Sequence, residues 1–342
     1  MSGQPCRRVL IAGGAGFVGS NLARKLLSEG HAVDCVDNLI TGRAENVGDL
    51  EGHRNFRFFK ADITDLRLAA RLARRRYDDI YNLACPTGVP NIAPMGEEML
   101  LTSSIGVLNL LRIAQRQKAR YLFASTAEAY GDPEVFPQVE SYTGNVDPVG
   151  PRSPYEEGKR FGEALTTYYA RQLCVDARIV RIFNTYGPAM SPDDQRVIPQ
   201  MLGHILAGRS VVIFGDGTQT RTFLHVEDLL AGFEAVMERG VPGDVYNVGG
   251  EKEMKIIELF DVARSVTRSN VRPSFTAHFI PDHRGRCPDT SKVRALGWQP
   301  RISIEEGLHR VYEGMLNATA AEPRCSAIKR QVRPSRVTRV AA

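Results

Sequence analysis

A tyrosine and a lysine four positions apart, Tyr155 and Lys159, have the types and spacing needed for proton chemistry. They lie in the segment SPYEEGKRFGEALTTYYA, whose pattern predicts a helix. Four residues turn a helix by about 400°, so the two side chains lie on the same helical face. A lysine ammonium beside a phenol is expected to lower the tyrosine pKa toward the range of a general base. The pair therefore indicates acid–base chemistry at Tyr155.

Three glycines, Gly13, Gly16 and Gly19 in GGAGFVGS, follow the first predicted strand and open a predicted helix. Glycines at such a turn let the backbone approach a ligand closely, and the free amides of a helix N-terminus favour a pyrophosphate. Asp37 ends the second predicted strand, where an acid can bond both hydroxyls of a ribose. The combination predicts a dinucleotide site. Because a carboxylate repels a 2′-phosphate, Asp37 favours NAD over NADP, although Arg43 nearby leaves NADP open.

Six apolar segments alternate with helical patterns and must position these residues. They are RVLIAGG, HAVDCVD, FRFFKADIT, DIYNLA, ARYLFAST and ARIVRIFN. This order predicts an α/β fold, a Rossmann-type doubly wound parallel sheet with helices on both faces. Ligands bind at the carboxyl ends of such strands, so Thr126, which ends the fifth segment, is expected to join Tyr155 and Lys159. Together with the glycine turn, these three residues indicate tyrosine-dependent hydride transfer.

The sequence changes character near residue 186, where stretches rich in Gly, Pro, Asp and Thr replace the regular alternation. We predict an NAD-binding Rossmann domain over residues 1–185 and a smaller mixed α/β lobe that binds the substrate over residues 186–317. The segment 223–250 contains another helix pattern and another strand pattern, and we expect it to rejoin the main sheet. Residues 318–342 are predicted to form a basic, disordered tail.

The composition excludes several classes of protein. The 342 residues are 43% hydrophobic and 24% charged, which is typical of a globular chain and not of a disordered or fibrous one. No apolar run is long enough to span a bilayer, and MSGQPCRR leads directly into VLIAGGAGF without the pattern of a signal peptide. We therefore expect a cytoplasmic protein with no membrane association. The six cysteines form no CxxC pair, so neither a disulfide framework nor a metal site is predicted.

The net charge of +5 arises between residues 321 and 342, and the rest of the chain is neutral. That segment holds one acid, Glu322, and the basic residues Arg324, Lys329, Arg330, Arg333, Arg336 and Arg339. A short basic tail is more often solvated than bound to a polyanion. Nucleic acid is therefore not expected to be a partner.

From about residue 8 to residue 315, the chain resembles the extended short-chain dehydrogenases/reductases that act on nucleotide sugars. Within that group, several of its segments are similar to those of UDP-glucuronate decarboxylases: VDNLITGRAENV, ASTAEAYGDP, GNVDPVGPRSPYEEGKR, RIFNTYGP, FGDGTQTRTF and PDTSKVRALGWQP. The resemblance implies tightly bound NAD, a UDP-sugar substrate and conversion of UDP-glucuronate to UDP-xylose. It also implies a homodimer that forms through helices around residues 98–117 and 153–173.

The resemblance implies a role for each of five catalytic residues. Tyr155 would take the proton from the sugar O4 while hydride leaves C4 for NAD, and Lys159 would hold the tyrosine and the nicotinamide ribose. Thr126 would hydrogen-bond O4. The C6 carboxylate lies β to the resulting 4-ketone and would leave as carbon dioxide. Glu128 would take part in proton transfer at C5. Arg221 would meet the diphosphate or the reacting sugar, and return of hydride to C4 would regenerate NAD.

By the same resemblance, two further sets of residues would bind the ligands, and no metal ligand is implied. The residues that would contact NAD are Gly13, Gly16, Phe17, Val18, Gly19, Asp37, Asn38, Thr41, Gly42, Asp62, Ile63, Leu83, Ala84, Thr102, Tyr155 and Lys159. The residues that would contact the nucleotide sugar are Pro86, Glu157, Asn184, Arg196, Val197, Phe214, Arg221 and Arg286.

Three departures from the family pattern bear on the choice of reaction. Ala127 replaces a serine common in the decarboxylases, Ser103 stands where relatives often have asparagine, and the loop PTGVPNIAPMGEE differs from the usual segment over the sugar. Ala127 also lacks the acid that a 4,6-dehydratase needs, which disfavours a related NAD-dependent dehydratase. Two alternatives stay open. One is a nucleotide-sugar 4-epimerase, for example of UDP-glucuronate or UDP-glucose, against which Glu128 argues; the other is a catalytically silent NAD-binding protein, against which the complete Thr-Tyr-Lys set argues.

Overall fold

A parallel sheet flanked by helices is built mainly from the first half of the chain. The structure, a computed structural model, describes residues 5–191, 194–277 and 285–321. Its helices and strands in chain order are β1 (Arg8–Ala12), α1 (Phe17–Ser28), β2 (Ala32–Asp37), α2 (Glu45–Gly48), β3 (Phe56–Lys60), α3 (Leu66–Leu72), β4 (Asp79–Asn82), α4 (Gly96–Leu101), α5 (Val107–Gln117), β5 (Arg120–Thr126), α6 (Ser153–Leu173), β6 (Ala177–Ile182), β7 (Thr185–Tyr186), α7 (Val197–Leu206), β8 (Val211–Phe214), β9 (Thr220–Arg221), β10 (Leu224–His225), α8 (Val226–Arg239), β11 (Val245–Val248), β12 (Met254–Lys255), α9 (Ile256–Thr267), β13 (Pro273–Thr276), α10 (Ser291–Arg294) and α11 (Ile304–Ala321).

Within the described residues, seven strands pair in parallel in the order β11-β6-β5-β4-β1-β2-β3. The six segments predicted as strands all lie in this sheet, so the predicted α/β class and Rossmann-type topology are confirmed. The strand order reverses between β1 and β4, which is the switch point where sheets of this kind bind ligands. The carboxyl ends of these strands and their neighbours therefore border one crevice.

Successive residues of the central strands face two different helical layers. On β1, Val9 and Ile11 belong to the core under α1 and α8, whereas Leu10 and Ala12 belong to the core under α3 and α5. All four side chains are fully buried. Burial on both faces explains why the strands are continuous apolar runs in the sequence, rather than alternating ones.

A second lobe with its own apolar core completes the molecule. There β8 and β13 pair in parallel, α7, α9 and α11 pack around them, and β9 pairs antiparallel with β12. Between these parts the chain returns to the main sheet, where α8 covers one face and β11 extends the edge beside β6. The chain thus passes between the two parts more than once.

The predicted basic tail begins at residue 318, and its residues after 321 lie outside the described ranges. No helix of the described part combines the length and the apolar character that crossing a bilayer requires. Nor does that part of the chain gather three or more side chains of the kind that ligate a metal ion.

Candidate active site

Two hydroxyl groups meet where β5 ends and α6 begins. Thr126 is the last residue of β5, and Tyr155 lies in the first turn of α6, which starts with Ser153 and Pro154. Proline suits this position because the first turn of a helix needs no N–H donor there. The Tyr155 hydroxyl lies close to that of Thr126, whose Oγ1 accepts from the amide of Glu128 at 3.2 Å. The structure therefore brings together two of the predicted catalytic residues.

Lys159 lies one helical turn after Tyr155 and is buried. Its Nζ donates to the carbonyl oxygen of Ala124 on β5 at 2.8 Å. One further turn along, Glu163 accepts from Ser125 Oγ at 2.5 Å and forms a two-point ion pair with Arg181 at 2.7 and 2.9 Å. Helix α6 is therefore fixed to strands β5 and β6 by buried polar contacts directly behind the two hydroxyls.

The pKa values of Tyr155 and Lys159 differ from what the sequence predicts. Burial raises the pKa of Tyr155, the nearby Cys85 and Glu128 add to the rise, and the Thr126 hydrogen bond and Arg196 oppose it. Burial likewise lowers the pKa of Lys159. The expected lowering of the Tyr155 pKa by Lys159 is wrong for this structure, because the ammonium is directed to a backbone carbonyl and is itself desolvated.

Glu128 follows Thr126 in a short 3-10 helix, Ala127–Tyr130, and lies between two arginines. Its Oε2 accepts from Arg286 Nη2 at 2.8 Å and from Arg152 Nη2. Arg152 precedes α6, and its Nε also donates to Glu156 at 2.9 Å. Sequence reasoning did not single out Arg152, although it directly precedes the predicted helix and stands four residues before Glu156, which was a usable signal.

Two of the predicted substrate-binding side chains carry buried polar atoms without a hydrogen-bond partner among the described residues. These atoms are Arg286 Nη1 and Asn184 Nδ2. Buried donors are normally paired, because an unmade bond costs the desolvation free energy of the group. A polar or anionic ligand, such as a carboxylate, would supply the missing acceptors.

The glycine turn after β1 has the shape that a dinucleotide requires. A Cβ on Gly19 would lie 2.1 Å from the carbonyl oxygen of Gly13, and Gly13 itself has a φ of +79° with its Cβ position 2.8 Å from the Leu83 carbonyl carbon. Helix α1 then begins at Phe17 with no side-chain cap and no acid in its first turn. Its first N–H groups therefore have no intrahelical acceptor and suit a pyrophosphate, as the predicted contacts at Gly16, Phe17, Val18 and Gly19 require.

Asp37 lies at the end of β2, next to this turn. Its carboxylate accepts from the amides of Ala15 at 3.0 Å and Leu39 at 2.8 Å, and a Cβ on Gly42 would lie 2.6 Å from it. Burial raises the pKa of Asp37, while these backbone donors oppose the rise. The acid is thus held rigidly at the position where Rossmann folds bind a ribose, which fits NAD. Thr41 is exposed just beyond it.

The other residues expected to contact NAD also lie near the carboxyl edge of the sheet. Asn38 Nδ2 donates to Asp62 at 2.7 Å; burial tends to raise the pKa of Asp62, but bonds from Thr64 and Asn38 lower it overall. Ile63 packs against Gly106 in the π-helical segment Thr102–Gly106, whose first residue is buried. Leu83 and Ala84 follow β4 and touch the glycine turn.

Residues of the second lobe approach the same crevice from the other side. Arg196 precedes α7, binds Asp194 through two nitrogens, and has its guanidinium 5.7 Å from the centre of the Phe17 ring. The remaining predicted residues of this lobe are Val197 at the start of α7, Phe214 at the end of β8, and Arg221 on β9, whose Nη1 donates to the Thr220 carbonyl at 2.7 Å.

The structure does not bring every predicted residue to the hydroxyl pair. Pro86 is buried in the loop after β4, next to Cys85, which lies near Tyr155. Glu157 instead pairs with Arg160 at 3.6 Å, and more than a third of each of these side chains is exposed to solvent. Positions two apart on a helix point in opposite directions, so Glu157 faces away from Tyr155.

The two single-residue departures from the family pattern occupy packed positions. Ala127 belongs to a small buried cluster with Tyr130 and Phe183, so a serine hydroxyl there would enter apolar surroundings. Ser103 is buried, and its Oγ lies 3.8 Å from Cys85 Sγ.

The sequence profile of the "NAD dependent epimerase/dehydratase family" matches residues 9–249. UDP-glucuronic acid decarboxylase 1 of Xenopus tropicalis is 42% identical over 305 residues, which are 89% of this chain and 71% of that protein. The solved UDP-glucose 4-epimerase of Thermotoga maritima is similar with a TM-score of 0.84 at 29% identity, over 91% of this chain and 99% of that one. UDP-glucuronic acid 4-epimerase of Bacillus cereus, solved with UDP-glucuronic acid and NAD, gives 0.81 at 26% identity, over 91% and 99%.

Proposed function

Because this chain belongs to the NAD-dependent epimerase/dehydratase family, we propose that it is a carboxy-lyase that converts UDP-glucuronate to UDP-xylose with NAD as cofactor. Its similarity to UDP-glucuronic acid decarboxylases over most of the chain supports the substrate and the reaction. Its place among extended short-chain dehydrogenases/reductases supports the cofactor.

One observation carries the choice of an acidic sugar. The guanidinium of Arg286 shares Glu128 with Arg152, and its second terminal nitrogen is buried without a partner among the described residues. Arginine nitrogens in this arrangement suit a carboxylate. Because Glu128 follows Thr126 by two residues, this binding site for a carboxylate is adjacent to the hydroxyls of Thr126 and Tyr155.

NAD would be held by the glycine turn, the start of α1 and Asp37, as the close approach at Gly19 and the uncapped helix indicate. The chemistry that NAD supplies, when bound, is reversible acceptance of hydride from C4 of the sugar. Lys159, which is buried on the same helix, would hold Tyr155 and the nicotinamide ribose in place.

Three side chains carry the proton steps of the proposed reaction: Tyr155, Thr126 and Glu128. Tyr155 Oη, in its phenolate form, takes the proton of O4 while C4 is oxidised, and Thr126 Oγ1 orients O4 by a hydrogen bond. The C5–C6 bond then breaks, its electron pair enters the enolate formed by C5, C4 and O4, and carbon dioxide leaves. A proton from solvent then reaches C5, and the Glu128 carboxylate relays it. Tyr155 finally returns its proton to O4 when C4 is reduced.

A homodimer is part of this proposal. Helix α6 and the neighbouring segment from α4 to the π-helical turn expose large apolar side chains: Leu100, Leu101, Ile105, Phe161 and Tyr168. Apolar residues gathered on adjacent helices of a globular protein mark a contact surface. A second copy of the chain is the occupant we propose, since a two-fold dimer buries the same surface of both copies.

The test is incubation of the purified protein with UDP-glucuronate and NAD, followed by mass spectrometry and proton NMR of the nucleotide sugars. Loss of one carbon dioxide with a UDP-pentose product is the expected result. An unchanged mass with inverted configuration at C4 would replace this proposal with a 4-epimerase. Bound NAD without any turnover would favour the silent NAD-binding alternative.

A further inference from the structure

Four charged side chains alternate in sign beside the hydroxyl pair: Glu156, Arg152, Glu128 and Arg286. Arg152 stands in the middle of this row, with Nε on Glu156 at 2.9 Å and Nη2 on Oε2 of Glu128. Arg286 Nη2 reaches the same oxygen of Glu128 from the second lobe at 2.8 Å. Arg152 is thus the link between α6, which carries Tyr155, and the acid at the reaction site.

These charges are withdrawn from solvent to different extents. The side chains of Glu156 and Arg286 are 4% and 7% exposed, whereas those of Arg152 and Glu128 are 18% and 22% exposed. Burial alone would lower the pKa of Arg152, but Glu128 and Glu156 outweigh it and hold the pKa above its ordinary value. Every carboxylate of the row therefore has Arg152 as a positive neighbour.

The two terminal nitrogens of Arg286 are in different situations. Nη2 is bonded to Glu128, and Nη1 is buried with no hydrogen-bond partner among the described residues. A carboxylate bound at Nη1 would lie close to the negative charge of Glu128. Like charges at short range disfavour each other unless another positive group compensates one of them. Arg152, which bonds the same oxygen of Glu128, is in position to do so.

We propose that Arg152 is a positioning residue that neutralises Glu128 and so leaves Arg286 available to the carboxylate of the substrate. This inference rests on the proposed function, since it assumes an acidic sugar at Arg286. It assigns Arg152 a selective role: it supports binding of the substrate carboxylate and has no part in binding the nucleotide or a sugar that lacks C6.

Calorimetry with two ligands separates that role from a structural one. UDP-glucuronate carries the carboxylate, and UDP-xylose is the same molecule without it. Binding is measured in a Tyr155→Phe background, so that no ligand is consumed. The variants are Arg152→Gln, which removes the charge, and Arg152→Lys, which keeps it. The control is Arg160→Gln, the same substitution at an arginine within α6 that bonds the carbonyls of Ala129 and Thr143 instead.

We expect Arg152→Gln to weaken UDP-glucuronate binding at least about tenfold, as loss of a charge-assisted contact would, with less than about a twofold change for UDP-xylose. Arg152→Lys should recover part of the loss, and Arg160→Gln should show no selective effect. In a Glu128→Gln background the selective effect of Arg152→Gln should disappear, because there is no charge left to neutralise. Equal weakening of both ligands, or no weakening of either, would overturn the proposal.

Failure of the proposed function is a separate outcome. It would appear as wild-type protein that releases no carbon dioxide from UDP-glucuronate, whatever the variants bind. The ratio of the two dissociation constants in the Arg152 variants does not depend on turnover, so it tests the role of Arg152 in either case.

Discussion

The hydroxyl of Tyr155 is needed twice in the proposed reaction, because it takes the O4 proton and later returns it. Tyr155→Phe removes only that hydroxyl, and the ring stays in place on α6. We expect turnover to fall by about 10²–10⁴-fold, the usual contribution of a positioned acid–base group, while NAD remains bound. Product formation by NMR and the NAD content of the purified variant measure the two effects.

Tyr168→Phe is the matched control, since Tyr168 lies on the same helix with 54% of its surface exposed. It should leave product formation close to the wild-type level. Substantial turnover in Tyr155→Phe would remove the proton role from this residue.

At the scale of single residues, the sequence predicts the chemistry better than it predicts the electrostatics. Thr126 and Tyr155 meet because one ends a strand and the other begins the helix beside it, and both facts are local patterns. The direction of the Lys159 ammonium depends on a carbonyl of β5, which no local pattern reveals. Arg286 reaches Glu128 across 158 positions of sequence, and the spacing of neighbouring residues carries no information on such a contact.

At the scale of elements, the start of α8 carries a pH-sensitive cap. His225 is buried, and its Nδ1 accepts from the amide of Glu227 at 3.3 Å, so the ring must be neutral at that nitrogen. Burial lowers its pKa and Arg310 on α11 adds to this, whereas Glu227, Asp228 and Glu306 oppose it. The Tyr186 ring lies edge-on to the histidine at 5.5 Å.

The lowered pKa of His225 makes the free energy of unfolding depend on pH. Below the ordinary histidine pKa of about 6.5, the unfolded chain binds a proton that folded His225 does not. The free energy of unfolding should therefore fall as pH drops from about 6.5 toward the lower pKa of the folded state, and His225 should add no slope above that range. His225→Asn keeps a side-chain acceptor for the cap and cannot titrate, so its melting temperature should decline less over the same interval. Identical pH profiles for the two proteins would exclude this role.

At the scale of the whole molecule, the exposed apolar side chains on α4, on the π-helical turn and on α6 predict a dimer. Phe161 and Tyr168 are seven residues apart and therefore lie on the same side of α6, with 52% and 54% of their surfaces exposed. The double variant Phe161→Asp and Tyr168→Asp places two charges in that contact and should give a monomer by light scattering, with an unchanged circular dichroism spectrum.

Val241→Asp provides the comparison, because Val241 is equally exposed but lies in the loop after α8. It should leave the mass in solution unchanged. A wild-type protein that is monomeric at micromolar concentration would dismiss the dimer altogether.

The main sheet could be predicted from the sequence because its strands are continuous apolar runs separated by helices. The second lobe could be predicted only from a change in composition and from the loss of regular alternation. Its strands β9 and β12 have two residues each, and their pairing brings Arg221 opposite Met254. Segments this short have no periodicity, so their partners are set by tertiary packing.

The return of the chain to the main sheet has a consequence for how the protein is made. Helix α8 covers one face of the sheet and β11 forms its outer edge, yet both are translated after the first elements of the second lobe, α7 and β8. During synthesis, the N-terminal half therefore leaves the ribosome with apolar side chains of its strands uncovered, and it cannot mature as an autonomous early unit. The cofactor crevice therefore gains its full support only after residue 248 has emerged from the ribosome.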